Sequence, residues 1–522
     1  MSGLYPVHWP KTPGLGKNGA ADSGSLDGLE MAQRRAATFR FAKGCFPESY
    51  AITRICIKIM ACGRSSSLVT GPAVPPAQER KNHSRGFAEM SGIAGGSVQN
   101  LIFSGFLLLV GLGITVVTAR LGVEDRGAFF LFTLAGIVFT TAASGLGLSV
   151  AYLISRRGES PARAVWSALA LGSIVGIFGA LIIIITVWLM PFPSVGILIL
   201  MAPVAPVLLA APTAGGAYLG LGRMLPFNLC AIVPHAMVFA LMGVFAFTCP
   251  PLDLTKTLRA WVTGQFLAAV VVLAMTWRII GFHRPSVREI GAHVRFAAQI
   301  GITNLTGLLN RRVSFAAIQW ILGTAATGLY SISVAAAELP MLVSSAVATA
   351  AYGRIGSESG IESARLVVRI VHLNWLLLLV VSPMLYLFST FAIPVLLGEA
   401  YRQALLPLAV LLPGVVLFSS ASAFSAYFTN YLGRPMLPAA IAACSVVICF
   451  VLSLLLTPRF GIAGTAVAAS VTYAVGMAFA AGLFARISGL GLKALVTFDW
   501  QQMARDIGIL FSLAKRKKVI NR

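Results

Sequence analysis

Four polar residues inside apolar segments have the chemistry to bind an anion or to form an ion pair. Asn310, Arg311 and Arg312 lie in one segment, and Glu338 lies in the next. Arg311 comes about 11 residues before the end of its segment and Glu338 about 10 residues after the start of the next, which places both about 15 Å deep in a membrane. Charges at such depth are costly and indicate a functional site.

The same two segments carry polar stripes, which a water-filled cavity requires. At 100° per residue, Arg311 borders the polar face of the first segment and Arg312 points nearly away from it. We interpret Arg311 as facing a cavity and Arg312 as the partner of Glu338, the alternative being a purely structural ion pair. The stripes consist of Gln299, Thr303, Thr306, Asn310 and Ser314, and of Ser331, Glu338, Ser345 and Thr349.

Arginine outnumbers acid at this depth, and this indicates the charge of the ligand. The planar guanidinium binds phosphate in two-point geometry, so the site favours an anionic head group such as a lipid diphosphate over a cationic drug. Glu338 is the candidate for ion coupling or for an ion pair. No catalytic residue, metal ligand or cofactor is predicted, and the seven cysteines have no metal or redox spacing. The candidate residues of the substrate cavity are Arg311, Asn310, Arg312, Gln299 and Thr303.

The elements that position these residues are long apolar segments. The chain has 522 residues, of which 57% are hydrophobic and 11% charged, and its mean hydropathy is +0.85. Soluble domains carry about 25% charged residues, and a membrane helix needs roughly 20 apolar residues. We predict an all-α integral membrane protein whose spans, numbered one to twelve, lie near 97–119, 128–154, 164–190, 195–221, 226–248, 260–281, 295–322, 328–352, 366–390, 404–429, 436–457 and 461–485.

The connections between spans are short, so no soluble domain interrupts the membrane body. Such a chain is expected to move something across the membrane and not to act as an enzyme in water. The net charge is +23, and half of the 40 Lys and Arg lie at the ends, with 12 before residue 90 and 8 after residue 485. We interpret these charges as orientation signals and lipid contacts, and we exclude nucleic acid as a partner. Twelve basic residues in the inner loops against six in the outer loops place both termini in the cytoplasm.

The two halves of the chain repeat the same signals. Gly122 and Gly127 after span 1 correspond to Gly323 and Gly328 after span 7, at a constant offset of 201 residues. A Gly-Arg pair before a proline also precedes spans 5 and 11. We therefore predict two six-helix lobes, 96–290 and 291–486, related by an axis along the membrane normal. Prolines in spans 4, 5, 8 and 10 predict bent helices, and the pairs Gly172–Gly176 and Gly216–Gly220 predict close packing.

The two ends differ from the membrane body. Residues 1–95 are expected to be a poorly structured extension; Met90 is the favoured true start, and a disordered cytoplasmic tail is the alternative. Residues 487–522 form a basic cytoplasmic tail. Apolar residues at helical spacing behind Asp499 favour an interfacial helix there, with a solvated basic tail as the alternative.

Several motifs, in their order and spacing, resemble polysaccharide flippases. This family is the O-antigen and exopolysaccharide exporter branch of the multidrug/oligosaccharidyl-lipid/polysaccharide superfamily, and the resemblance covers about 95–485. The motifs are Thr118-Ala119-Arg120-Leu121-Gly122 with Arg126-Gly127, Leu309-Asn310-Arg311-Arg312, Leu322-Gly323, Gly328-Leu329-Tyr330, Ala337-Glu338, Leu397-Gly398-Glu399-Ala400-Tyr401, Gly433-Arg434-Pro435 and Gly461-Ile462-Ala463-Gly464-Thr465-Ala466.

The resemblance implies a two-lobe, alternating-access transporter of a bacterial inner membrane. Its cargo would be a polyprenyl-diphosphate-linked oligosaccharide, its partners membrane lipids and other polysaccharide-assembly membrane proteins, and its energy source an ion gradient or the membrane potential. Family members often carry an Asp where this chain has Ser314, so Glu338 becomes the better candidate for ion coupling.

Other functions stay open on the sequence. A cation-coupled drug antiporter of the same superfamily would be expected to bury an acid in spans 1–6, which hold none at depth. A peptidoglycan-precursor flippase would be expected to have about fourteen spans. A membrane glycosyltransferase or ligase would need a large outer loop with acids or His, and the longest, Cys249 to Arg259, contains Asp253 alone. A scaffold would leave the polar stripes unexplained.

Overall fold

A computed structural model describes residues 103–189, 196–357, 360–434 and 436–497. The predicted extension at 1–95 and the predicted interfacial helix of the tail lie outside these ranges. The described residues form helices and turns, with no β-strand among them. The chain is therefore an all-α membrane protein with about twelve helices.

The first half of the protein contains spans 1–6. Span 2 is one apolar run, Val123–Arg157, bent at Ala143 and Ser144 where two helices meet. The helices are Phe103–Ala119 in span 1, Val123–Ala142 and Gly145–Arg157 in span 2, Pro161–Leu189 in span 3, Ala205–Leu208 and Ala210–Gly220 in span 4, Met224–Thr248 in span 5 and Leu254–Ile280 in span 6.

The second half contains spans 7–12. Spans 11 and 12 form one continuous helical run, but Gly461 has non-helical backbone angles (φ 60°, ψ −145°) and divides it at the predicted boundary. The helices are Val287–Ile321 in span 7, Gly323–Ser357 in span 8, Gly360–Leu397 in span 9, Leu405–Phe418 and Ala421–Ala426 in span 10, and Met436–Ser488 in spans 11 and 12, followed by Lys493–Val496.

Spans 4 and 10, which are equivalent in the predicted repeat, are both broken. Span 4 opens with a 3₁₀ turn at Ile197–Met201 and then forms two short helices. Span 10 opens with a 3₁₀ turn at Glu399–Ala404 and ends in a π-helical turn at Tyr427–Tyr431. Prolines account for part of this irregularity, because each one removes a backbone hydrogen bond. Irregular backbone at membrane depth is tolerated where it is buried in protein or lines a cavity.

Glycines at the span ends support the internal repeat. Gly122 and Gly323 both have positive φ, at 107° and 83°, and Gly222 and Gly433 have φ of 69° and 64°. Such angles strongly favour glycine. Both pairs of span-end glycines that the sequence relates across the two halves therefore share a positive φ.

The spans of each half pack mainly on one another, and the halves meet where span 2 contacts spans 7 and 8. Small residues allow this packing. A Cβ on Gly216 would overlap the carbonyl of Gly147, and one on Gly176 would overlap the carbonyl of Ala205. The predicted close packing is confirmed at Gly176, Gly216 and Gly220, whereas a Cβ on Gly172 would make only ordinary contacts at 3.5 Å. Large apolar side chains such as Trp188 and Phe247 are exposed, as a lipid-facing surface requires.

Candidate functional site

Arg312 and Glu338 form a two-point ion pair between spans 7 and 8. Arg312 Nη1 donates to Glu338 Oε1 at 2.9 Å, and Nη2 donates to Oε2 at 2.7 Å. The two side chains are 18% and 24% exposed. This parallel geometry is the strongest form of an arginine–carboxylate contact. The pair therefore neutralises the acid of span 8 and leaves Arg312 without a free charge.

Arg311 stands in a different environment. Its side chain is half-buried, and its Nε atom is buried without a hydrogen-bond partner. No carboxylate pairs with Arg311 in the part of the chain that the structure describes. A desolvated cation without a counter-charge is expensive, so it is a candidate to bind an anionic group.

A cavity of about 300 Å³ lies beside this part of span 7. Thr303 and Asn310 of the predicted polar stripe line it together with Gly307, and the buried Asn310 Oδ1 has no hydrogen-bond partner. Spans 10, 11 and 12 supply the other walls, including Ser425 and Tyr473. Polar and apolar groups thus share the lining, as in a site for an amphipathic ligand.

The other predicted residues lie as follows. Gln299 is exposed and is not among the cavity residues. Thr303 donates to the Gln299 carbonyl at 3.0 Å. Arg311 and Arg312 are also outside the cavity lining. The structure therefore places Thr303 and Asn310 on the cavity, Arg311 adjacent to Asn310 in the chain, and Arg312 in the ion pair.

Arg126 is a buried cation, although it is one of the six basic residues that the predicted span boundaries assign to outer loops. The helix of span 2 begins at Val123, so Arg126 falls in its first turn and is only 6% exposed. Nη1 donates to Thr118 Oγ1 at 2.7 Å, and Nε has no partner. The neighbouring repeat residue Gly127 was the available signal, because a glycine in such a motif marks close packing.

His293 is a second residue that the sequence analysis missed. It lies near the start of span 7 and is only 1% exposed. Its Nδ1 is 2.8 Å from Ser149 Oγ of span 2, and its Nε2 is 3.0 Å from Ser167 Oγ of span 3. His293 therefore joins the two halves. The lone histidines His235 and His372 instead contact backbone carbonyls.

Comparison with known proteins identifies the fold. No family model and no curated protein matches the chain. An inward-facing multidrug resistance MATE transporter of the MOP superfamily matches with a TM-score of 0.60 and 15% identity, over 73% of this chain and 96% of that one. The lipid II flippase MurJ, in an inward closed conformation, matches with a TM-score of 0.60 and 14% identity, over 81% of this chain and 100% of that one. The chain has the fold of MOP-superfamily transporters.

A third solved structure with this fold is a MOP-superfamily transporter from Pyrococcus furiosus. It matches with a TM-score of 0.55 and 15% identity, over 78% of this chain and 96% of that one, and its reported binding pocket has reversed polarity that suggests a different function. At these identities the likeness establishes architecture alone. The charge of this chain's own site must therefore carry any argument about its ligand.

The two halves are in contact at the predicted outer side. The Tyr401 hydroxyl, from the start of span 10, donates to the carbonyl of Ala119 at 3.0 Å, at the end of span 1. This hydrogen bond joins the two halves at the predicted outer side.

Proposed function

We propose that the protein flips a polyprenyl-diphosphate-linked oligosaccharide across a bacterial inner membrane. The observation that supports this most is the charge around span 7. Arg312 neutralises Glu338, so Arg311 provides an uncompensated positive charge next to a cavity of mixed polarity. A diphosphate satisfies such a cation through two-point hydrogen bonds, and a cationic drug would be repelled by it.

The fold supports transport of a lipid-linked molecule. MurJ, which shares it, is described as a lipid II flippase. A cavity with both polar and apolar walls suits a head group attached to a lipid chain. Alternating access would follow from rocking of the two repeat-related halves. The cytoplasmic location of both termini and contact with other polysaccharide-assembly proteins form part of the same proposal.

Glu338 is the proposed coupling group. Protonation of its carboxylate, or its occupation by a cation, would weaken the pair with Arg312 and free that guanidinium. The available positive charge next to the cavity would then change during the cycle. This role is proposed in place of the Asp that similar flippases carry where this chain has Ser314.

Drug/cation antiport is the second candidate, because several structures with this fold are multidrug resistance transporters. In that case Glu338, which is 24% exposed, would have to leave Arg312 and bind the cationic substrate. The observed two-point pair opposes this exchange, since the acid already has a strongly held counter-charge.

A deletion strain separates the two candidates. For a flippase, lipid-linked saccharide accumulates on the cytoplasmic leaflet and surface polysaccharide is lost. For an antiporter, the saccharide is distributed normally and sensitivity to cationic drugs rises. Complementation with the intact chain must restore the wild-type state in either case. The accumulated lipid would also supply the cargo for chemical identification.

A further inference from the structure

Arg126 has far more hydrogen-bonding capacity than its surroundings use. A guanidinium has five N–H donors, and one hydrogen bond, to Thr118, is observed. The residue is only 6% exposed, and Nε is buried without a partner. Buried polar groups are normally satisfied, so an orphaned donor indicates a ligand that binds in another state.

The charge of Arg126 is also uncompensated within the described residues. The adjacent acids do not pair with it: Glu124 is exposed and Asp125 is half-buried, and neither forms a salt bridge. Burying a lone cation is energetically unfavourable. Such a cost is rarely maintained without a use, and an anionic ligand would offset it.

The position of Arg126 links it to the contact between the halves. Its neighbour Gly127 packs directly on the Thr324 backbone of span 8. Tyr401 donates to the carbonyls of Ala119 and Gly122 in the first half, and the Gly122 carbonyl also accepts from the Arg126 backbone amide. A cavity of about 430 Å³ at the predicted outer side is lined by Ala119, Gly122 and Tyr401, and Arg126 lies outside its lining. Separation of the halves would withdraw Tyr401 and leave Arg126 facing the opening.

We infer that Arg126 is a second anion-binding residue, which takes a phosphate or diphosphate group when the predicted outer side opens. This inference rests on the proposed function. Arg126 lies about 5 Å from the start of its helix and Arg311 about 15 Å deep, at 1.5 Å per residue. The two cations would hold the same head group in succession, Arg311 within the membrane and Arg126 at release.

The test needs a variant that favours the open outer side. A Cβ on Gly328 would overlap the carbonyl of Val123, so Gly328→Val should wedge the two halves apart there. Farnesyl diphosphate is the probe, and its binding is measured by calorimetry in nanodiscs of zwitterionic lipid. The size-exclusion profile and circular dichroism establish that each variant is folded. If the Gly328→Val variant does not fold, the smaller substitution Gly328→Ala takes its place.

We expect the wedge variant to bind the probe at Arg126. Adding Arg126→Gln should weaken this binding about tenfold to hundredfold, as for loss of a charged hydrogen bond. Arg126→Lys should weaken it less, and Arg259→Gln, at an exposed arginine on the same predicted side, should not change it. Unchanged affinity in the Arg126→Gln variant would overturn the inference.

Two further arms separate the sources of failure. If Arg311→Gln reduces binding in the chain without the wedge but Arg126→Gln never does, the proposed function stands and the second site is wrong. If neither arginine variant affects the probe, the anionic cargo itself is contradicted. The assay is repeated with phosphatidylglycerol in the nanodisc; displacement of the probe would assign Arg126 to leaflet head groups and overturn its assignment to the cargo.

Discussion

Gly127 and Gly328 pack against each other in a reciprocal contact. A Cβ on Gly127 would overlap the Thr324 carbonyl and lie 3.0 Å from the Gly328 nitrogen. A Cβ on Gly328 would overlap the Val123 carbonyl and lie 3.0 Å from the Gly127 nitrogen. Both pairs, 127 with 328 and 123 with 324, are separated by 201 residues. Reciprocity of this kind is the mark of a two-fold axis, which here passes between spans 2 and 8.

Alanine at either glycine should therefore loosen the contact between the halves. We expect Gly127→Ala and Gly328→Ala each to destabilise the protein by about 1–3 kcal/mol, because a methyl group has no room against the facing backbone. The double variant should cost less than the sum, since both changes break one contact. Thermal unfolding of the purified protein in detergent measures this.

The matched control is Gly243→Ala in span 5. Gly243 is helical, and a Cβ there would meet no atom within 4 Å. Alanine should be neutral or stabilising at this position, because it lowers the entropy lost on folding. Equal unfolding temperatures for the Gly127→Ala, Gly328→Ala and Gly243→Ala variants would contradict the close contact.

The Arg312–Glu338 pair should behave as a single unit. Removing one partner leaves a partly buried charge unpaired, and we expect Arg312→Ala or Glu338→Ala alone to cost up to about 3–5 kcal/mol and to lower the protein level. The double variant should recover part of this loss. A double-mutant cycle measures this coupling on the unfolding temperature and on the amount of protein in the membrane. Strictly additive losses would show that the two groups are not coupled.

His293 should stabilise the contact between spans 2, 3 and 7. Its two ring nitrogens contact Ser149 and Ser167, so His293→Ala leaves buried hydroxyls with fewer partners and should cost about 1–3 kcal/mol. His235→Ala is the control, because the hydrogen bond observed for His235 is to the Ala231 carbonyl of its own helix. A loss no larger than that of the control would exclude a bridging role.

Most of the fold could be predicted because membrane spans obey a simple length rule. Apolar runs of about 20 residues are visible one by one, and Gly461 marks the boundary between spans 11 and 12 that the hydropathy profile also indicates. The repeat was visible because its glycines have a backbone role that few residues can replace. The break in span 10 was less visible, since it falls at Ser419 and Ser420, where no glycine marks the interruption of the helix.

Parts of the candidate site were accessible to the same reasoning, and parts were not. Equal depth in adjacent helices predicts that a residue of span 7 can reach Glu338. Arg126 was missed because span ends are uncertain by several residues, and an arginine near an end is normally assigned to the loop. His293 was missed for a different reason. Its two serine partners lie more than 120 residues away in the chain, so no local pattern indicates the contact.

Arg311 should be required for export and dispensable for folding. Its Nε atom has no hydrogen-bond partner, so Arg311→Ala removes the positive charge without removing a hydrogen bond of Nε. We expect surface polysaccharide to disappear while the membrane level of the protein stays within the range of the intact chain. Arg311→Lys keeps the charge but loses the planar fork, and should retain part of the export. Arg259→Ala, at an exposed arginine, is the control. Quantitative immunoblots paired with polysaccharide analysis decide the matter: normal export by the Arg311→Ala strain would remove Arg311 from the substrate path.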